Sequence, residues 1–433
     1  MKKLRISALF LALCLLLTGT SLPIQAADST AAGRTSLYGQ TMLVLGDSYT
    51  AGFGLPGGRH GWPDLVSEAL GLTQLNYSIS GSSMAAGPRG SFPMVERCQE
   101  LPAAPAPDII LLQGGSNDHV RDIPLGDTQE RNAESFCGAL NLILDHLGDI
   151  YPDARVLCFT PWISDGGKNG LDLTAEDYTA AMMAVCAHRD LPCYDASQAA
   201  DNGMHLEDPA FRARFCLSSS DHYHLNDAGH RRFAPVMAEY LSRTLSGGGT
   251  SDRFADLQIA GEDLRRGVTC ATTTGLMAGE GELFSPTRST TWETLSTALY
   301  HLAGMPLVTE YDIPGMSRDT PGYQAACYMI QSELLPGPET HLPELPLSRE
   351  VLAGVLYHYY TDLCGLMVTK YVGLGPYPDS DAVSDFAELP LGWALSTGLL
   401  AEKDGMLRPQ STVSRGELAV TLERFLRLLG EIS

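Results

Sequence analysis

The chain has 433 residues, with 51 acidic side chains against 29 basic ones and a formal charge of −22, a balance that repels nucleic-acid phosphates and anionic lipid surfaces. At 44% hydrophobic and 18% charged residues it can bury a sizeable core, which excludes wholesale disorder and a fibrous chain. The length suits two or three domains.

Lys2, Lys3 and Arg5 precede an apolar run from Ile6 to Leu17, and the small residues Ala26 and Ala27 follow a polar stretch. That is the three-part pattern of an export signal over 1–27, and the apolar run is short for the roughly 20 residues that span a bilayer. The expectation is a secreted chain with no transmembrane segment once the leader is cut. Nine cysteines then remain and none forms a CxxC pair, which argues against a zinc knuckle or a redox motif. Cys158, inside an apolar run, reads as a buried thiol. Cys193 with Cys216 and Cys98 with Cys137 are possible disulfides in an exported protein.

From Thr41 to about Leu245 short apolar runs alternate with amphipathic stretches. Strands are predicted at Thr41–Leu45, Gln74–Ser78, Asp108–Gln113, Ala154–Thr160 and Pro192–Asp195. Helices are predicted at Trp62–Leu70, Glu130–Ile150, Ala175–His188 and Asp227–Leu245, some opened by acidic or hydroxyl residues that can cap them. This order predicts an α/β domain over 38–245: a parallel sheet with helices on both faces, whose chemistry gathers at the carboxyl ends of the strands.

Those ends carry the chemically informative residues. The first strand runs into Gly46-Asp47-Ser48-Tyr49-Thr50, where glycines crowd a serine that could present its hydroxyl to a crevice. Asp221 precedes His224 by three residues on a turn into the last helix, so the carboxylate can hold one ring nitrogen while the other faces a nucleophile. Two further strand ends offer donors for a developing oxyanion: the backbone N–H of Gly81, and the side-chain amide of Asn117 within Gly115-Ser116-Asn117-Asp118. A metal site built from Asp221, His222, His224 and His230 would need ligands in defined positions that no separate cluster supplies. Neither a metal nor another cofactor is therefore expected.

Four blocks, in order and at suitable intervals, make this region resemble the SGNH hydrolase superfamily, the GDSL-type esterases and lipases. The resemblance implies a three-layer α/β/α, flavodoxin-like fold. It also implies Ser48 as nucleophile, His224 as base, Asp221 as orienting acid, and Gly81 and Asn117 as oxyanion donors. There is no Gly-x-Ser-x-Gly elbow. An ester substrate follows from the resemblance. A short acyl group, above all acetyl on a carbohydrate, is the leading expectation, because no apolar lid interrupts the domain and the loop from Asn117 to Gly126 is polar. A lipase or lysophospholipase, and a non-catalytic wall-bound carbohydrate-binding protein, are the alternatives.

A polar break at 246–253 reads as a linker. Beyond it, three amphipathic helices align without gaps from Thr290, Leu347 and Val413, placing Leu295, Leu352 and Leu418 in register at spacings of 57 and 66 residues. With Leu347-Ser348-Arg349 and Val413-Ser414-Arg415-Gly416-Glu417 at two of the helix entries, this half resembles S-layer homology repeats, at about 254–310, 311–372 and 373–433. The resemblance implies a mainly helical domain that holds the protein to the secondary polysaccharide of a bacterial cell wall. Arg349 and Arg415 are then expected to face grooves that accept an acidic glycan, with Trp292 standing in their place in the first repeat.

Overall fold

The computed structural model describes residues 36–88, 90–162, 167–334 and 344–432; the export signal expected over 1–27 lies outside the described residues. The strands are β1 (Thr41–Leu45), β2 (Thr73–Asn76), β3 (Ile109–Gln113), β4 (Arg155–Phe159) and β5 (Cys193–Tyr194), all parallel in the order β2-β1-β3-β4-β5. Alternation along each strand divides the core between the two faces. Met42, Val44, Ile109, Leu111, Leu157 and Phe159 point to one apolar cluster. Leu43, Leu45, Ile110, Leu112 and Cys158 point to the other.

The first face is covered by α1 (Trp62–Leu70), and the second by α2 (Phe136–Ile150) and α3 (Ala175–His188). The last helix of this half, α4 (Asp227–Ser246), joins α1 on the first face. The sheet with helices on both sides is as the apolar periodicity predicts. Helix α2 begins six residues later than expected because Ser135 caps it, accepting from the Gly138 N–H at 3.3 Å. Thr174 and Asp177 form a reciprocal capping box at the start of α3.

The nine described cysteines are free thiols, so neither expected disulfide is formed. Cys193 packs with the cluster on one face of the sheet and Cys216 with the cluster on the other. Cys98 and Cys137 are buried thiols in the same apolar cluster. Cys158 is buried as well.

The segment expected to be a free linker is itself folded against its neighbours. Thr250 donates from both its backbone and its hydroxyl to the Glu239 carboxylate, each at 2.9 Å. Arg253 reaches the carbonyls at the end of α1, Glu68 at 2.9 Å and Ala69 at 2.8 Å. The helical half that follows comprises α5 (Glu262–Thr273), α6 (Trp292–Leu302), α7 (Tyr323–Gln331), α8 (Arg349–His358), α9 (Glu388–Ser396) and α10 (Arg415–Leu429). It shares one apolar cluster in which Leu295, Leu352 and Leu418 are fully buried.

The three aligned helix entries close into a ring. Leu347 N–H donates to Thr290 O, Val413 N–H to Leu347 O, and Thr290 N–H to Val413 O. A second ring at the next positions joins Trp292 to Leu345, Arg349 to Ser411 and Arg415 to Arg288. Helices pair across the aligned segments, α5 with α10, α6 with α7 and α8 with α9. The two halves also bond directly: Arg231 of α4 donates to the carbonyls at the end of α6, His301 at 3.0 Å and Leu302 at 2.8 Å.

Arg349 and Arg415 are buried in the fold, although Arg349 also lines an open groove beside Lys403, Glu417 and Arg424. Arg349 is 1% exposed and Arg415 6%. Arg349 Nε donates to Leu407 O at 3.0 Å and Nη2 to Ala401 O at 2.5 Å. Arg415 repeats the pattern on Phe284 O at 2.9 Å and Ala278 O at 2.6 Å. Arg349 also pairs with Glu417. The planar fork that suits a glycan carboxylate suits a hairpin's unpaired carbonyls equally well, and here the chain's own loops occupy it.

Candidate active site

Ser48 opens a short helix, Ser48–Ala51, directly after β1. Its neighbour Asp47 caps that helix, accepting from the Tyr49 N–H at 3.0 Å. Only glycine fits at 46, because a Cβ there would stand 2.1 Å from Thr50 Oγ1 and 3.0 Å from Gln113 Oε1. This close approach holds the turn against the end of β3 and leaves Ser48 at the strand's carboxyl edge.

Asp221, His224 and Ser48 form a continuous chain. His224 Nε2 lies 3.1 Å from Ser48 Oγ, and Nδ1 lies 3.0 Å from Asp221 Oδ2. The other Asp221 oxygen accepts from the Tyr223 N–H at 2.8 Å and the His224 N–H at 2.9 Å. Partial burial favours the neutral acid, but those two N–H groups and the imidazole outweigh it and hold the carboxyl below its ordinary range. His222, the residue between Asp221 and Tyr223, has a buried Nδ1 with no hydrogen-bond partner among the described residues.

Aromatic packing fixes the histidine loop. Trp162 stacks on Tyr49 at 4.1 Å between centroids and donates from Nε1 to Tyr223 O at 2.8 Å. Phe53 lies against the His224 ring at 4.4 Å. The sequence pattern did not single out these three rings; the aromatic residues flanking Ser48 were the available signal for two of them.

Asn117 sits in the short helix Ser116–Val120 after β3 and points its amide at the serine turn, Nδ2 donating to Asp47 Oδ2 at 3.3 Å. An amide nitrogen carries two protons, so one stays available for a substrate oxygen. Gly81 follows β2 with φ +84°, a left-handed conformation that favours glycine. The structure thus joins Ser48, His224 and Asp221 in one hydrogen-bonded chain, and Asn117 bonds Asp47, the residue before Ser48.

Two buried carboxyls under this network were not expected as site residues. Burial pushes Asp47 up to about 6, against the pull of the Tyr49 N–H, the neighbouring Gln113 and Asn117 side chains and the Arg121 charge. Burial likewise pushes Asp118 up to about 7, although it accepts from the Met84 N–H at 2.9 Å and the Ala85 N–H at 3.0 Å. Asp118 thereby ties the segment after Gly81 to the Asn117 helix, and its adjacency to Asn117 was the legible signal. His230, once weighed as a metal ligand, is buried and accepts from the Trp62 N–H at 3.1 Å. Among the described residues no group of three or more His, Cys, Asp or Glu is placed to hold a metal ion. No described helix is long and apolar enough to cross a membrane.

Residues 44–232 match the GDSL-like lipase/acylhydrolase family. The front domain belongs to that family. Over 90 residues the chain is 34% identical to an arylesterase of Vibrio mimicus, a match spanning 20% of this chain and 41% of the relative. A solved structure from Lactobacillus plantarum is 30% identical, covering 47% of this chain and 96% of that one with a TM-score of 0.41. A member of the lipolytic G-D-S-L family from Veillonella parvula is 17% identical, covering 47% and 98% with a TM-score of 0.35.

Proposed function

We propose that this GDSL-family domain is a serine esterase working through an acyl-enzyme, with Ser48, His224 and Asp221 as its catalytic groups. The single observation that carries this reading is the imidazole of His224, hydrogen-bonded to Ser48 Oγ on one side and to Asp221 on the other. As Ser48 Oγ attacks the ester carbonyl carbon, His224 Nε2 takes its proton, and Asp221 keeps the ring oriented and stabilises the imidazolium. The carbonyl oxygen becomes an oxyanion held by the N–H groups of Ser48 and Gly81 and the free amide proton of Asn117. His224 then protonates the departing alkoxide, and water attacks the acyl-enzyme by the reverse relay to release the acid and restore Ser48.

The acyl group is proposed to be short, acetyl above all, and the alcohol a carbohydrate. The polar loop from Asn117 supports a small acyl site. Exposed Phe53, Ile79 and Val120 beside the site favour the second reading, an esterase for longer or aryl esters. A chain-length series of aryl esters from acetyl to palmitoyl, with acetylated xylan and peptidoglycan alongside, separates the two. Falling kcat/KM beyond short chains supports the first, and rising values through decanoyl overturn it.

The N-terminal pattern and the triplicated helices support export and attachment to a wall polysaccharide. With Arg349 and Arg415 buried, that contact would have to use other residues. Pull-down of the full chain on cell walls before and after removal of the secondary polysaccharide tests it, and equal retention on both would overturn it.

A further inference from the structure

Arg121 ends the short helix that carries Asn117, and its guanidinium lies between two of the groups assigned to the oxyanion. Nη1 donates to the Asn117 carbonyl at 3.3 Å. Nη2 lies 3.6 Å from the point where a Cβ on Gly81 would stand. Its charge also reaches the buried Asp47 carboxyl that holds the Asn117 amide. Among the described residues the guanidinium has only that one hydrogen bond and no ion pair. The carboxylate next to it in sequence, Asp122, is engaged by the Gly170 N–H at 2.5 Å.

Other arginines of the front domain are committed to the fold. Arg59 is paired with Asp227 and Arg189 with Asp145. Arg97 donates to Tyr77 O and Ser82 Oγ, and Arg212 to the carbonyls of Leu206 and Ser219. In a chain of formal charge −22, a guanidinium with a single hydrogen bond and no ion pair at the edge of the reacting groups stands apart from these. Guanidinium presents five N–H donors in a flat fork that fits a carboxylate through two parallel bonds.

We propose that Arg121 is a specificity-determining residue that selects esters bearing a carboxylate a few bonds from the scissile carbonyl. The carboxylate docks on the guanidinium fork while the carbonyl oxygen enters the site between Gly81 and Asn117. This rests on the esterase reading of the site and deepens it by naming the charge of the substrate.

The test compares matched esters differing by one carboxylate. In the acyl arm a mono-aryl succinate is set against the aryl butyrate. In the alcohol arm a carboxyphenyl acetate is set against phenyl acetate. The wild-type protein is expected to prefer the anionic member of at least one pair by roughly ten- to hundredfold in kcat/KM, the size of one charge-assisted contact. Arg121→Gln is expected to erase most of that preference through KM, and Arg121→Lys to retain part of it. Equal kcat/KM within both pairs overturns the inference. So does an Arg121→Gln variant that loses kcat equally on charged and neutral esters, because Arg121 would then act on the oxyanion of any substrate. Calorimetric binding of the same pairs to Ser48→Ala, with and without Arg121→Gln, keeps the outcome separate from catalysis. Tighter binding of an anionic ester that depends on Arg121 supports the inference even if no ester is turned over and the esterase reading fails. Equal binding overturns it.

Discussion

The two halves of the molecule use polar side chains at comparable places in opposite ways. In the front half, residues at the carboxyl ends of parallel strands project from turns and leave reactive atoms at an open edge: Ser48 after β1, Gly81 after β2 and Asn117 after β3. In the helical half, the polar residues that open α8 and α10 turn inward and fasten the loops packed over them. The difference is topological. A strand end in a parallel sheet has no neighbour continuing above it, so its polar groups meet solvent or substrate. A helix entry in a closed ring of three aligned segments lies beneath the hairpin of the next segment, so its polar groups meet unpaired carbonyls.

The largest effect that could break this contrast is at Ser48. Ser48→Ala is expected to lower ester turnover by roughly a thousandfold or more, since the attacking oxygen is lost and the other members of the triad cannot act without it. The cooperative unfolding transition should remain. Near-normal turnover, or a fluorophosphonate adduct mapped by mass spectrometry to another residue, would remove the mechanism.

Arg349 should behave in the reverse manner. Arg349→Ala leaves the carbonyls of Leu407 and Ala401 without their donor and Glu417 with Lys403 as its remaining partner, and leaving such buried acceptors unsatisfied costs about 1–3 kcal/mol. Urea unfolding is expected to show that loss, while turnover measured below the transition stays near the wild-type value. A stable variant with weakened wall binding would instead return Arg349 to the role of a ligand contact. Arg415→Ala is expected to follow the same pattern.

Asn117 sharpens the comparison within the front half. Asn117→Ala should lower kcat by roughly ten- to a thousandfold, the range for one oxyanion donor. A raised KM with unchanged kcat would make Asn117 a substrate contact instead.

Much of this was legible before the structure, and unevenly so. Strand periodicity and turn residues located β1, β3 and β4 to within two residues, because each strand alternates between two buried faces and is bounded by Gly, Asp or Pro. Asp221 and His224 were legible as a pair because Asp three residues before His sets their relative geometry, whereas Ser48 was legible from the glycine-flanked strand end and the family resemblance. The direction of the Arg349 fork was not: helical periodicity says which face is buried but not which loop will fold over the helix entry. The Trp162–Tyr49 stack and the Asp47–Asn117 bond join residues far apart in sequence, and no local spacing encodes them. The helix predicted from Glu130 was shortened by the Ser135 cap, a local choice that apolar spacing cannot register.

The smallest expected effect concerns the buried carboxyls beneath the site. Asp47 and Asp118 are raised to about 6 and about 7 from an ordinary 3.8, with burial as the main cause. In the unfolded chain both would titrate near 3.8, so between about pH 4 and pH 7 the folded protein binds more protons than the unfolded one. Stability must then fall as pH rises through that window. Asp221 has the opposite sign: its folded value is depressed, so its contribution is fully present above 3.8 and is lost only as pH falls through that lower value. Other groups also titrate over this range, so the informative quantity is a difference between variants. Asp118→Asn removes one of the two buried acids, the one that the neighbouring Asp47 charge helps burial to raise. Melting temperatures measured at half-unit steps from pH 5 to pH 8 should therefore fall less steeply for Asp118→Asn than for the wild type. The amide still accepts one of the Met84 and Ala85 N–H bonds but opposes the other with its own donor, so the variant should lie lower at pH 5 and approach the wild type by pH 8. Parallel curves at all pH values would show that Asp118 is already ionised across the range, in which case the Met84 and Ala85 N–H groups, rather than burial, set its charge.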